Sequence, residues 1–568
     1  MAVGRTSPGA AAIDEKSTNH DIGKIITSVN VGKAERFAQG GSKFEIITAE
    51  AKLATEAEHA LTVREAIRKY PRAIAWSIFF SSAIAMEGYD KVLVNQFLAF
   101  PAFVQRYGQP KPDGKFAISA PWQAGLGNGA RVGEIMGLLL NGWINERFGF
   151  KRTMLGSVVA LSLFIFIPFF APNIQSILAG QILLGVPWGV FQTLTTAYAA
   201  EVCPVALRPY LTSYVNMMWG LGQMIASGML RAFVNRSDQW AYRIPFALQW
   251  VWPLPLLIGI SFAPESPWWL VRKGRNEDAR KSLRQLSSAY TDAELDNTVS
   301  MMIHTNELEK EISAGTSYTD CFKGVNLRRT EITCVAWLIQ SASGATLMGY
   351  AAYFFVQAGL PNTISFNFSI SLYALAMIGV AISWFVMTHL GRRTIYLIGL
   401  SGMLAVLIAI GGTSLASNAN NSGPSFATGG LLLAYTLFYD IGVGSVAYAM
   451  VAEIPSTRLR TKTIVLARNL YNVQGVINGV ITPYMLNETA WNWKGKAGFF
   501  WAGTCFLCLT WAFFRLPEPK GRTYAELDVL FEQGVSARKF SGTVVDVFAV
   551  NRSQDVEEPA DEERKSVA

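Results

Sequence analysis

The chain has 568 residues, 51% hydrophobic and only 16% charged, where an ordinary soluble domain carries about 25% charge. Residues 153–200 and 332–388 contain no Asp, Glu, Lys or Arg, and a membrane-crossing helix needs about 20 apolar residues, so each run holds two helices and a turn. This excludes a secreted or cytosolic enzyme, a disordered protein and a nucleic-acid binder, and leaves a net charge of +8 to be placed on a membrane face beside anionic lipid.

In chain order, residues 1–72 are polar and mixed in charge, with no short apolar core and cleavage site, and read as a cytosolic tail without a secretory signal. Apolar segments then predict twelve spans, near 73–99, 117–145, 153–172, 175–200, 209–232, 244–263, 332–357, 365–388, 394–415, 428–452, 463–486 and 497–515. The polar stretch 264–331 has charged, helix-forming composition over 277–286 and 292–311 and reads as a cytosolic helical linker. The fold class is thus an all-α membrane protein: a six-helix bundle over 73–263, the linker 264–331, a second six-helix bundle over 332–515, and a polar tail over 516–568.

Basic residues in short loops set orientation. Arg147, Lys151 and Arg152, Arg392 and Arg393, and Arg458, Arg460 and Lys462 fall on one face if both termini are cytoplasmic, whereas Arg106, Lys111 and Lys115 fall on the other. The sequons at Asn235, Asn420 and Asn487 then land in outer loops. Four scattered His have no metal-ligand spacing. Cys505 and Cys508 form a C-x-x-C inside an apolar helix, more readily small packing residues than redox chemistry. No cofactor is expected.

The halves repeat one another. Ala200-Glu201 through Arg208 after span 4 matches Ala452-Glu453 through Arg460 after span 10. Gly149 to Arg152 after span 2 matches Gly391 to Arg393 after span 8, and Pro264-Glu265 after span 6 matches Pro517-Glu518 after span 12. Parallel six-helix repeats imply a binding site near the midplane between them. Gly129, Gly133 and Gly137 recur every fourth residue in span 2, a close-packing face.

Seven charges lie inside spans: Glu87, Asp90, Lys91, Arg131, Glu134, Asp440 and Arg468. Each costs about 2.5–3.5 kcal/mol at mid-bilayer on insertion scales, which makes it a functional candidate. At about 1.5 Å per residue, Glu87 and Asp90 lie roughly 21 and 25 Å above the inner end of span 1, and Glu134 roughly 18 Å above that of span 2. Three carboxyls in one layer cannot all ionise in low dielectric, which suits a proton carrier; a static ion-pair cluster fixing helix register is the alternative. Lys91 is expected to snorkel outward, Arg131 to pair with Glu134, and Asp440 to add only pore-lining polarity.

Together with Met86-Glu-Gly-Tyr-Asp90, Phe97-Leu-Ala-Phe-Pro101 and Tyr107-Gly108, these motifs resemble, over residues 73–523, a sugar porter of the major facilitator superfamily, and more narrowly the fungal α-glucoside (maltose-type) proton symporters. The resemblance implies proton coupling through Asp90, Glu87, Glu134 and Arg468, with Asp90 as the carrier. Gln181 stands where many proton-coupled sugar porters have an Arg, so the counter-charge falls to Arg468 or coupling is absent. Sugar contacts carry over to Gln223 and Gln340; at other sugar positions this chain has Ser341, Thr346, Tyr448 and Asn472, and the smaller Ser341 and Thr346 suit a disaccharide. A sugar needs hydroxyl partners and an aromatic platform, yet Gln and Asn in spans also simply bond neighbouring helices. Glu201 with Arg208, Glu453 with Arg460, and Arg152 and Arg392 are expected to bridge the halves when the inner side is shut. The implied protein is a plasma-membrane importer acting as a monomer, with a small-molecule sugar and the lipid bilayer as partners and no nucleic acid. A proton-independent facilitator and, behind it, a non-transporting sugar sensor are the rivals.

Overall fold

The computed structural model describes residues 63–111, 114–203, 207–287, 291–313, 317–416, 423–456, 458–520, 522 and 524–543. Twelve helical passes run back and forth through it. Span 1 is Pro71–Ser81 continued by Ala83–Phe97. Span 2 is Ala120–Phe148, span 3 Phe150–Phe164 with Phe166–Phe169, span 4 Ile174–Val202 and span 5 Arg208–Phe233. Span 6 is Trp240–Leu248 and Pro253–Phe262 joined by a tight turn of helix. In the second half, span 7 is Gly324–Ala342, then Thr346–Gly349 and Ala351–Gln357. Span 8 is Asn362–His389, span 9 Arg392–Leu415, span 11 Arg460–Leu486 and span 12 Ala497–Arg515. Span 10 is Gly423–Phe438 and Ser445–Glu453, with a π-turn at Tyr439–Gly444. The linker carries helices Pro267–Arg272, Asn276–Leu286 and Asp292–Ser313. We call the membrane face on which it sits the linker face.

Seven passes, spans 3, 4, 6, 8, 9, 10 and 12, are long and apolar enough on composition alone to cross a membrane. Spans 1, 2, 5, 7 and 11 are not, and the reason is chemical: they hold the buried charges and amides, or break. Span 7 breaks at Ser343–Ala345, where Gly344 has φ of +101°, a left-handed conformation that a side chain disfavours. The halves meet along spans 2 and 11 and along spans 5 and 8, so three of the four passes at the midline are polar ones, and the apolar span 8 is the fourth.

Close helix crossings depend on glycine. A Cβ on Gly133 or Gly137 would strike the carbonyls of Ile182 and Val186, and one on Gly129 would meet Leu178, so the glycine face of span 2 lies on span 4. Gly88 lies against the backbone of Trp219, and Gly222 against that of Ala85. This contact of span 1 with span 5 fixes the rotation of span 1 and so decides where Glu87 and Lys91 point.

The repeated loop motifs are one device used twice. The Glu265 carboxylate accepts from the backbone N–H of Phe150 at 2.9 Å and of Lys151 at 3.3 Å. Glu518 accepts from those of Arg392 at 2.8 Å and Arg393 at 3.0 Å. Each Pro-Glu motif thus caps the free N–H groups that open a helix in its own half.

Candidate functional site

Lys91 does not snorkel outward. It lies between two carboxylates, 2.7 Å from Glu87 and 2.7 Å from Glu134, because the span 1 and span 5 crossing turns it inward, and burial without partners would leave two like charges facing each other. Glu87 and Glu134 are 1% and 4% exposed. Arg131 does not join Glu134; its guanidinium donates to Asn128 of the preceding turn at 3.0 Å. Asp90 stands apart from this cluster. Fully buried, it accepts from Gln249 of span 6 and has Gln181 of span 4 beside it. The layer of three carboxyls therefore resolves into a cation-matched pair, Glu87 and Glu134, and a separate acid among neutral amides.

Arg468 of span 11 reaches this cluster through a residue that the sequence reading passed over. Its guanidinium donates to Gln192 Oε1 at 2.6 Å, and Gln192 Nε2 donates to Glu87 at 2.6 Å. Arg468 also lies over the rings of Trp337, at 5.3 Å, and Tyr471, at 5.2 Å. Trp337 and Tyr448 meet edge to face at 5.6 Å. Tyr448 is 46% exposed although its neighbours Trp337 and Arg468 lie inside the bundle, so part of its ring faces a cavity not filled by side chains. Trp337, Tyr448 and Tyr471 with Arg468 bring aromatic faces and a hydrogen-bonding cation together at one place, the kind of group a sugar ring can use.

The expected sugar residues divide. The Gln223 side chain is nearly buried and has no hydrogen bond among the described residues. Asn472 Nδ2 is buried without a partner, which leaves a donor for a ligand. Gln340 is spent otherwise: its Nε2 donates to the Gly444 carbonyl at 2.8 Å and ties span 7 to the π-turn of span 10. Ser341 accepts from Asn478 of span 11 at 3.0 Å, and Asn478 in turn accepts from Gln474 at 2.8 Å. Thr346 begins the helix after the break in span 7. Asp440 occupies the π-turn, packed against Gly379.

The bonds that cross between the halves cluster at the midplane and on the face opposite the linker. Lys111 pairs with Glu488 at 2.7 Å, Asn487 Nδ2 donates to the Ile118 carbonyl at 2.9 Å, Gln123 Nε2 to Tyr353 Oη at 3.1 Å, and Arg231 to Asn367 at 2.8 Å. On the linker face the pairs made by Glu201 and Glu453 among the described residues lie within their halves. Glu201 takes Arg272 at 2.8 Å and Ser266, Glu453 takes Arg392 at 3.1 Å, and Arg152 makes no ion pair among the described residues. The Arg208 side chain lies outside the described residues, and Arg460 opens span 11. The bonds named between the halves thus draw them together at the midplane and opposite the linker. Asn487, whose sequon is expected in an outer loop, ends span 11 on that face, but it is 2% exposed and bonded across to Ile118. Asn235 is exposed and Asn420 lies outside the described residues.

Comparison with known proteins fits this architecture. The family model for sugar (and other) transporters matches residues 76–531. A general alpha-glucoside permease of Saccharomyces cerevisiae is 45% identical over 89% of this chain and 83% of its own, and a maltose permease of the same yeast is 43% identical over the same shares. Among solved structures, the xylose transporter XylE of E. coli in a partially occluded inward open conformation superposes with a TM-score of 0.65, at 17% identity, over 80% of this chain and 99% of its own. The twelve-span major facilitator fold, and with it membership of the sugar transporter family, is what this chain shares with them: it is a multi-pass membrane transporter of sugars and not an enzyme.

Proposed function

We propose that this protein imports α-glucosides of the maltose type across the plasma membrane by proton symport. It acts as a monomer with both termini and the linker in the cytoplasm, and a proton is its only coupling species. The substrate class is supported by the 45% and 43% identity to yeast proteins named for alpha-glucosides and maltose, and by the aromatic faces at Tyr448. One observation carries the coupling. Asp90 is a fully buried carboxyl bonded to a neutral amide, while its acidic neighbours Glu87 and Glu134 share the cation Lys91. Asp90 is the acid of this layer whose hydrogen-bond partner carries no charge, which singles it out as the proton carrier. One proton crossing 100 mV releases about 2.3 kcal/mol, and one pH unit about 1.4 kcal/mol; one-to-one coupling then concentrates a neutral sugar roughly several hundred-fold.

The complete matching of Lys91 favours one rival, a facilitator in which Glu87 and Glu134 merely hold spans 1 and 2 in register. Uptake of labelled maltose with and without an uncoupler, in the parent and in Asp90→Asn, separates the two. The symporter concentrates maltose, loses this with the uncoupler, and loses it in Asp90→Asn while still equilibrating sugar. Accumulation by Asp90→Asn equal to the parent's defeats the assignment of Asp90, and a parent that never accumulates defeats the symport reading.

A further inference from the structure

Gln192 lies in the middle of span 4 with no counterpart among the charged residues, and both ends of its amide are used. A guanidinium only donates and an ionised carboxylate only accepts. An amide placed between them therefore has a single workable orientation, with Nε2 toward Glu87 and Oε1 toward Arg468, and that is the one present. Both bonds are charge-assisted and 2.6 Å long. Gln192 belongs to the first half, as does Glu87, and Arg468 belongs to the second. Apart from this bridge, the polar contacts between halves described above lie farther toward the face opposite the linker.

We propose that Gln192 is a positioning residue that relays the charge state of Glu87 across the interface to Arg468. The inference rests on the proton-coupling reading. The groups facing Glu87 are Lys91 on its own span, Glu134 and beyond it Arg131 on span 2, Gln192 on span 4, and Arg468 with Tyr448 on the second half. Trp219 of span 5 lies 5.9 Å from Lys91 and adds no charge. The second oxygen of Glu87, Oε2, is buried without a partner. A proton that reaches Glu87 during the cycle adds to the vacant Oε2, and Oε1, which accepts from Gln192, becomes a neutral acceptor. The charge-assisted bond to Nε2 weakens to an ordinary one, the amide is held less firmly in the orientation that Arg468 needs, and the bridge between the halves loosens. Loss of the proton tightens it again. The amide is required here because neither a carboxylate nor a hydrocarbon both donates and accepts.

The test is a set of variants assayed for maltose accumulation, for counterflow exchange without a gradient, and for the pH profile of uptake. Gln192→Met keeps the length and removes both bonds. Accumulation falls about tenfold or more, as loss of a charge-assisted hydrogen bond implies, exchange changes by less than about twofold, and the pH profile flattens. Glu87→Gln mimics the protonated state and gives the same phenotype, and the double variant is no worse than either single one. Gln192→Glu accepts from Arg468 but sets a second negative charge beside Glu87, which favours the protonated form of Glu87, so its uptake optimum moves to higher pH; this second variant decides the matter if Gln192→Met fails to reach the membrane. Gln192→Met or Gln192→Glu with the parent's pH profile and accumulation overturns the role of Gln192 while leaving symport standing. A parent with no pH-dependent accumulation overturns the symport reading itself.

Discussion

Glu265 and Glu518 hold the same place in the two halves, each closing the start of a helix that lies far from it in sequence. Glu265 takes the N–H groups of Phe150 and Lys151, and Glu518 those of Arg392 and Arg393. A cap of this kind is worth about 1–2 kcal/mol. Glu265→Ala and Glu518→Ala are each expected to lower the unfolding temperature of the purified transporter in detergent. Because the sites are well separated, the losses should add in the double variant. A double variant no less stable than the worse single one would show that the two caps are not independent devices.

Burial lifts the Glu265 carboxyl above its ordinary range, against the pull of the backbone N–H groups of Ser266, Lys151 and Phe150. The folded state therefore holds a proton more tightly than the unfolded chain. Stability is full below the ordinary Glu value and falls as pH rises through the raised one. Glu265→Gln keeps a carbonyl acceptor and cannot titrate, so unfolding temperature measured across that interval should lose part of its slope relative to the parent.

Span count and the repeat were legible because hydropathy and motif spacing report position along a helix. Rotation about the helix axis was not. The Glu87 to Lys91 spacing of four is a helical pair, yet its long side chain alone suggests that Lys91 snorkels outward; the crossing of Gly88 on Trp219 turns it inward. Gln192 left no mark because it is neither a charge nor one of the amides that the family resemblance picks out, and its two bonds form only when spans 1, 4 and 11 pack together. Gln340 shows the converse: its residue type suits a sugar contact, but its amide is taken by a helix carbonyl, which only the packed structure reveals.

Removing Lys91 leaves Glu87 and Glu134 as uncompensated buried charges, and breaking a buried pair this way costs about 3–5 kcal/mol. Lys91→Met alone is expected to lower the amount of protein at the cell surface sharply. Lys91→Met combined with Glu87→Gln removes one charge of each sign and should recover most of it. Quantitative surface labelling of tagged variants checks this, and equal losses in both would show that Lys91 acts through packing instead.

Lys111 and Glu488 latch the halves opposite the linker, with Lys111 holding the Glu488 carboxyl below the usual range. Partly exposed pairs of this sort are worth about 0.2–1 kcal/mol. Lys111→Glu and Glu488→Lys should each favour the state open on that side, lowering KM for external sugar by up to about fivefold at some expense in kcat. The charge-swapped double variant should return both toward the parent. Asn487, bonded to the Ile118 carbonyl beside this latch, should carry no glycan, so Asn487→Gln leaves the glycosidase-sensitive mobility of the protein unchanged.

Tyr448 and Gln340 are set apart by what their polar ends do. Tyr448 is 46% exposed, packed edge to face on Trp337 and open to the cavity, so it is free to stack on a sugar. Gln340 is 3% exposed with its amide bonded to Gly444. An aromatic contact is worth about 0.5–1.5 kcal/mol beyond its area, so Tyr448→Ala should raise KM for maltose about two- to tenfold with little change in unfolding temperature. Gln340→Ala leaves the Gly444 carbonyl buried and unpaired, which costs about 1–3 kcal/mol; it should lower the unfolding temperature and shift KM much less. Measuring both quantities on both variants tests the division directly. If Gln340→Ala raised KM at unchanged stability, the amide would have to leave Gly444 and reach the substrate during the transport cycle, and span 7 would need to rotate against the π-turn of span 10 to allow it.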